Sequence, residues 1–256
     1  MKYGILFSLG LLVVGSTVLA STKGRLSLSS AKPISTKPVS SIVPINSIKD
    51  AKLTNADKNS LVVFDIVDTL ILSDPSDYNP RLKPAANPEF QKVKEDLEDI
   101  ALSKFMLNLK RTLVEKKFQE IIKILQYFSI KTIALSSYLV GSYGAINNLQ
   151  EWRYNQLNKL DINLSGSFNI QTLVLNNFAT YRGTKPTYYK GILFTNNYSK
   201  GEVLSEFLVQ MKLKPSIVIC IDDNLDYLES LKAAMAKKEI PFQGYHYLHA
   251  QKKVSA

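Results

Sequence analysis

Short apolar runs that end on polar residues recur along this chain, spaced by segments of helical length. The first is LVVFD at 61–65. Others are KTIALS at 131–136, GILFT at 191–195, SIVICI at 216–221 and a last run at 243–248. Apolar runs of this length, bounded by polar residues, read as strands buried on both faces. Between them, apolar positions return every three or four residues at 118–128, 149–160, 201–213 and 225–238, which predicts helices. Strands alternating with helices predict an α/β fold: a doubly wound, Rossmann-like parallel sheet with helices on both faces. Between the first two strands lie a proline-rich loop at 73–88 and a charged helical stretch from about 89 to 116. Together they predict a small helical cap insertion at about 73–116.

The pattern changes before residue 61. Lys2, the apolar stretch ILFSLGLLVV at 5–14 and VLA at 18–20 have the form of a signal peptide, 1–20, cut before Ser21. The apolar stretch is short for a bilayer span, so the sequence predicts no stable membrane span after cleavage. An exported protein is expected, periplasmic in a bacterium or secreted. Residues 21–60 are rich in Ser, Lys and Pro without sustained periodicity, and read as a flexible linker ahead of a folded domain at 61–250.

Charge and cysteine narrow the picture. The net charge of +10 suggests nucleic acid until it is located. Residues 1–60 hold eight Lys/Arg against two Asp, whereas the other 196 residues hold 24 basic and 20 acidic groups. The excess sits mostly ahead of the predicted domain, so no nucleic-acid partner is expected. Cys220 is the only cysteine, so no internal disulfide can form, and its apolar surroundings in sequence read as those of a buried hydrophobe. The sequence leaves the oligomeric state open.

The candidate chemistry lies at the ends of the predicted strands. Asp65 ends the first, Ser136 ends the run at 131–136, and Asp222 and Asp223 follow the run at 216–221. Lys200 opens a helix just after the strand at 191–195. In a doubly wound sheet these strand ends converge on one crevice. Carboxylates, a hydroxyl and an ammonium there form the inventory for binding a magnesium-associated phosphate group. Asp222 and Asp223 also fit a helix N-cap, and Lys200 fits a solvated surface position.

In order and spacing, Asp65/Thr69, Ser136, Lys200 and Asp222/Asp223 resemble the four motifs of the haloacid dehalogenase superfamily. The FDIxDTL form, the block at 191–204 and the IDDN run look like an uncharacterised group of exported bacterial proteins within it. The resemblance covers about 61–250. It implies Asp65 as the nucleophile that forms an aspartyl-phosphate on a small phosphorylated substrate. It also implies Mg²⁺ held by Asp65, Asp222, Asp223 and the backbone carbonyl of Val67. Lys200 and Ser136 would grip the phosphoryl group, and Thr69 would brace the loop that carries Asp65.

Val67 departs from that pattern, in which a second Asp serves as general acid and base. Losing such a group typically costs about 10²–10⁴ in rate. Leaving groups that need no proton would suffer least. Glu151, Tyr181 and Arg182 are candidate substitutes. Two readings therefore stay open: a Mg²⁺-dependent phosphoryl hydrolase or transferase, and a catalytically inactive relative that binds an anionic ligand or a protein partner.

Overall fold

The computed structural model describes residues 40–73 and 95–249. The predicted signal peptide and residues 21–39 of the predicted linker lie outside them, as do residues 74–94 of the insertion. Among the described residues no helix is long and apolar enough to cross a membrane.

The domain is an α/β sandwich around an eight-stranded, mostly parallel sheet. Its strands are β1 (Ser40–Ile45), β2 (Leu61–Phe64), β5 (Lys131–Ser136), β6 (Thr172–Val174), β7 (Thr187–Tyr189), β8 (Ile192–Phe194), β9 (Val218–Asp222) and β10 (Phe242–Tyr247). Two further strands, β3 (Ile71–Ser73) and β4 (Arg111–Leu113), pair antiparallel apart from the main sheet. The order across the main sheet is β1-β10-β9-β2-β5-β8-β7-β6. From β2 the chain steps to β5 and β8 on one side, then returns to β9 and β10 on the other. The strand order thus reverses between β2 and β9. That switch point is where a doubly wound sheet opens a crevice beyond its carboxyl ends.

The central strands β2, β8 and β9 are almost wholly apolar because both faces are covered, as in parallel sheets generally. Alternate residues face opposite cores. Val62, Phe64, Ile219 and Ile221 join Phe118, Ile122 and Leu125 of α2 (Lys117–Tyr127) and Leu157 of α3 (Leu149–Lys159). Leu61, Val63, Val218 and Cys220 join Val203 and Phe207 of α4 (Lys200–Gln210) and Leu228 and Met235 of α5 (Leu225–Lys237). Cys220 is buried among apolar neighbours, as its sequence setting predicts, and burial pushes its thiol pKa well up.

Three features depart from the sequence reading. The sheet begins inside the predicted linker, because β1 pairs parallel with β10 and two 3₁₀ turns follow it at Ile48–Asp50 and Leu53–Asn55. Residues 40–60 are therefore part of the domain. An edge strand can carry polar residues and a proline, here Pro44, so it shows no apolar run. Glu115 fastens this entry segment. It accepts hydrogen bonds from Ser47 Oγ (2.8 Å), the Ile48 amide (2.8 Å) and the Tyr247 hydroxyl (2.6 Å). The second departure is at the other edge, where β8-β7-β6 runs antiparallel. The third is that β4 interrupts the stretch expected to be helical from 89 to 116.

The described helix of the insertion, α1 (Glu95–Asn108), docks on the turn that follows β5. Ser103 Oγ accepts the Ala145 amide at 2.7 Å, and Arg182 Nη1 donates to Asp99 Oδ2 at 2.7 Å. Met106 packs with Ile146 and Leu149. Gly144 allows the approach. Its φ is +53, and a Cβ there would meet the Asp99 carbonyl oxygen and Ser103 Oγ at 2.3 Å each. Gly144→Ala is expected to push α1 off this turn and to cost about 1–3 kcal/mol, from overpacking and the left-handed backbone. A urea unfolding midpoint compared with that of the unaltered protein measures it.

Candidate functional site

The site forms where β2 and β9 lie side by side. Asp65 follows Phe64, the last residue of β2, and its amide donates to the Ile221 carbonyl at 2.9 Å. Asp222 is the last residue of β9. Adjacent parallel strands in register thus deliver two carboxylates to one sheet end. Both are buried, as are Thr69, Ser136 and Lys200.

Lys200 joins the two acids. Ser199 caps α4 by accepting the Glu202 amide, which places Lys200 at the first helical position. Its Nζ donates to Asp65 Oδ1 at 2.6 Å and to Asp222 Oδ2 at 2.7 Å. The Tyr227 ring lies under the ammonium, 4.4 Å from its centroid. Burial alone would lower the Lys200 pKa. The Asp65 and Asp222 carboxylates outweigh burial and hold it above the ordinary lysine range.

Asp222 shifts the other way from a simple ion pair. Burial raises its pKa first, repulsion from Asp65 adds to that, and its share of one ammonium does not offset the two. One cation divided between two buried carboxylates leaves a surplus of negative charge. Asp223 adds to it: burial and repulsion from Asp65 and Asp68 push it up to about 6. Thr69 holds Asp223 in place, accepting its amide at 3.2 Å and donating to its Oδ1 at 3.4 Å. Asn224, not either Asp, caps α5, accepting the amides of Asp226 and Tyr227. The N-cap explanation of the Asp pair therefore falls away. Asp222 Oδ1 takes the Asn224 amide at 3.0 Å.

One carboxylate oxygen from each of Asp65, Asp222 and Asp223 lies within 4.8 Å of the others, a set able to hold a metal ion. A dication would relieve the repulsion that raises Asp222 and Asp223. The sign for stability follows from the raised pKa. A carboxyl group with a folded pKa above its unfolded value costs nothing when both states are protonated. Its cost grows as pH rises through the unfolded value and levels off above the folded one. Without divalent cation, the Asp223 contribution is therefore expected to lower stability between about pH 4 and pH 6. Added Mg²⁺ is expected to raise Tm above pH 6 and to lose that effect below it. Thermal melts across pH, with and without Mg²⁺, test both.

Ser136 ends β5, its Oγ accepting the Tyr138 amide at 3.3 Å, which leaves its O–H to donate elsewhere. Val67 lies in the tight loop after Asp65, half-buried against the core that holds Phe64. The loop is closed by Leu70 and Ile71 amides donating to the Ile66 carbonyl, and Asp68 sits in it at φ +63. Two of the three candidate substitutes for the missing Asp are engaged elsewhere: Glu151 accepts hydrogen bonds from the Tyr189 hydroxyl and Lys190 Nζ, and Arg182 pairs with Asp99. The third, Tyr181, is an exposed side chain whose backbone bridges to Thr184.

Sequence reasoning passed over Arg153, which the structure buries completely in α3. The available signal was positional, because Arg153 falls between Leu149 and Leu157 at spacings of four on the buried stripe of that helix.

The chain was compared with known proteins. The model of a family described as "Protein of unknown function (DUF2608)" matches residues 42–256. An uncharacterized protein of Rickettsia bellii (strain RML369-C) is 28% identical over 167 residues, covering 62% of this chain and 57% of the relative. The uncharacterized protein RP296 of Rickettsia prowazekii (strain Madrid E) is 24% identical over 218 residues, 81% of this chain and 78% of the relative. The chain thus spans little more than half the length of the first of these relatives. Among solved structures, a putative beta-phosphoglucomutase from Thermotoga maritima aligns with a TM-score of 0.40 at 13% identity. The alignment covers 77% of this chain and 99% of that one.

Proposed function

This chain belongs to the DUF2608 family, and we propose that it is a phosphoryl hydrolase or transferase of the haloacid dehalogenase type, acting on a small phosphorylated molecule. The observation that carries this reading is the buried Asp65–Lys200–Asp222 bridge, with Asp223 beside it and Ser136 ending the neighbouring strand, at the switch point of a doubly wound sheet.

In this reading an Asp65 oxygen attacks phosphorus. A bond forms from Asp65 to phosphorus while the bond to the leaving oxygen breaks, and that oxygen departs with the electron pair. Water then attacks phosphorus, the Asp65–phosphorus bond breaks, and the carboxylate returns as phosphate leaves and the water proton passes to solvent. Lys200 has three N–H donors, two held by Asp65 and Asp222, and the third would donate to a phosphoryl oxygen. The Ser136 hydroxyl donates to another. Asp65, Asp222, Asp223 and the Val67 backbone carbonyl would hold Mg²⁺, an ion suited to hard oxygen donors, and it would supply positive charge against the phosphoryl oxygens.

Val67 favours a second reading, a protein that binds an anionic ligand or a protein partner in this site without turning it over. Incubation with Mg²⁺ and acetyl phosphate, followed by intact-mass spectrometry, separates the two. The enzyme reading expects a phosphoryl adduct or steady release of phosphate, both absent in Asp65→Asn. No adduct and no turnover would leave the binding reading.

A further inference from the structure

Helix α2 carries more apolar surface than the sheet uses. Phe118, Ile122 and Leu125 face the core. Ile121, Ile124 and Phe128 form a second stripe, spaced by three and four residues, along its outer flank. Ile124 is 53% exposed and Phe128 63%. Opposite this stripe runs the entry segment with its two 3₁₀ turns. Leu53 lines that side, and Ala51 and Ala56 are too short to close the gap. The result is a groove of about 900 Å³, floored by the buried side chains of Ile48, Leu125 and Ile130. That volume suits one small-molecule ligand. The α2 wall is about 16 Å long. None of Asp65, Lys200, Asp222 and Asp223 lines the groove, so it is separate from the acidic cluster.

The rim is cationic. Lys49, Lys58 and Lys117 line the groove against one acid, Asp57. The Asp57 carboxylate serves its own loop, where it accepts the Asn59 amide at 3.0 Å and Ser60 Oγ at 2.8 Å. Lys117 pairs with Glu120, and Glu120 also lies within electrostatic reach of Lys49. Two ammonium groups thus share one carboxylate at the amino end of α2, where the helix dipole adds partial positive charge. Among the described residues neither Lys49 nor Lys58 forms an ion pair.

Charge selects the occupant. Residues 1–39 hold five Lys/Arg and no acid, and residues 250–256 hold two Lys and no acid, so the rim repels both ends of this chain. Two copies joined face to face would set lysines against lysines. A stable protein interface engages roughly 20–30 residues a side, whereas fourteen line this groove. An occupant with a long apolar body and one anionic end satisfies both the walls and the rim.

We propose that the groove between α2 and residues 48–58 binds one long-chain fatty acid. Its acyl chain lies along Ile121, Ile124 and Phe128, and its carboxylate sits between Lys49 and Lys117. This binding does not depend on the phosphoryl-transfer reading of Asp65. Each methylene buried against the α2 stripe adds to affinity, and the lysines select the sign of the head group.

The test is calorimetric titration of the whole chain with dodecanoate, hexanoate and dodecylammonium, each below its micelle concentration. Saturable one-to-one binding of dodecanoate is expected, with hexanoate, six methylenes shorter, at least about a hundredfold weaker. Dodecylammonium has the same chain and the opposite charge, and is expected to bind at least about fivefold more weakly. Ile124→Glu, at a position open enough to accept a carboxylate, is expected to weaken dodecanoate at least about tenfold. Lys49→Glu is expected to weaken it about fivefold and to remove the preference over dodecylammonium. Equal affinity for the two head groups, or dodecanoate binding that neither substitution changes, would overturn the proposal. So would the absence of saturable dodecanoate binding. In that case cosedimentation with phosphatidylglycerol vesicles would assign the face to a membrane surface, and a dimer that Ile124→Glu dissociates would assign it to a second copy. The comparison of the three ligands on the unaltered protein stands even if a variant fails to fold.

Discussion

In the phosphoryl-transfer reading proposed for Asp65, Val67→Asp is expected to speed the hydrolysis of alkyl phosphates by about 10²–10⁴. The substitution returns a carboxyl group two residues after Asp65, where the resemblance to haloacid dehalogenases places the general acid and base. Two steps should change together. The leaving oxygen of an alkanol could depart protonated, and the water attacking the aspartyl-phosphate would gain a base. Aryl phosphates, whose oxygen leaves unaided, should gain much less in the first step. The substitution also has a cost. Val67 is half-buried against the core, and removing its apolar contact loses about 1–2 kcal/mol, which an ordinary domain tolerates. Steady-state rates on phenyl and ethyl phosphate, with adduct lifetimes by mass spectrometry, check the effect. Equal rates for the variant and wild-type proteins would show that position 67 does not face the reacting groups.

Lys200→Ala is expected to cost about 3–5 kcal/mol of stability near neutral pH, because it strands Asp65 and Asp222 as buried carboxylates without their cation. The pH dependence identifies the cause. In the unaltered protein the Lys200 pKa is raised, so its contribution is fully present below the unfolded lysine value of about 10.4 and is lost only as pH rises through the folded one. In the variant, Asp222 has lost the ammonium that lowered its pKa, and burial and Asp65 push it further up. A raised carboxyl pKa costs nothing where both states are protonated and more as pH rises. The deficit should therefore be smaller at pH 5 than at pH 8. Urea midpoints at the two values measure it. Lys200→Met, which fills the space without the charge, should show the same pH dependence. A deficit that Met restores would mean that packing, not charge, was lost.

Much of the domain could be read before any coordinates, for a definite reason. Strands such as 61–64 and 218–221 lie at the middle of a sheet covered on both faces, so every residue is apolar and the run stands out. Helices α2 and α5 pack one face and announce it by their spacing. The segments that escaped belong to the margins. β1 and β6 are edge strands with exposed positions, and β4 is three residues long in a small separate pair. Their pairing depends on partners remote in sequence, β1 on β10 above all.

The site divides in the same way. The sequence alone determined which residue types end each buried strand, and so that carboxylates, a hydroxyl and a lysine would be available, and that Val67 would not supply a proton. Only the tertiary structure decided how these groups are used. It set β2 beside β9, so that one buried ammonium bridges Asp65 and Asp222, and it gave the capping of α5 to Asn224, which leaves Asp223 to Thr69. It also brought Arg153 beneath Tyr138 and α1 over the turn after β5, making a cavity from segments far apart in the chain. Local sequence carries burial and periodicity, because each residue's own surroundings select for them. Charge balance and cavity shape are sums over residues that only folding brings together.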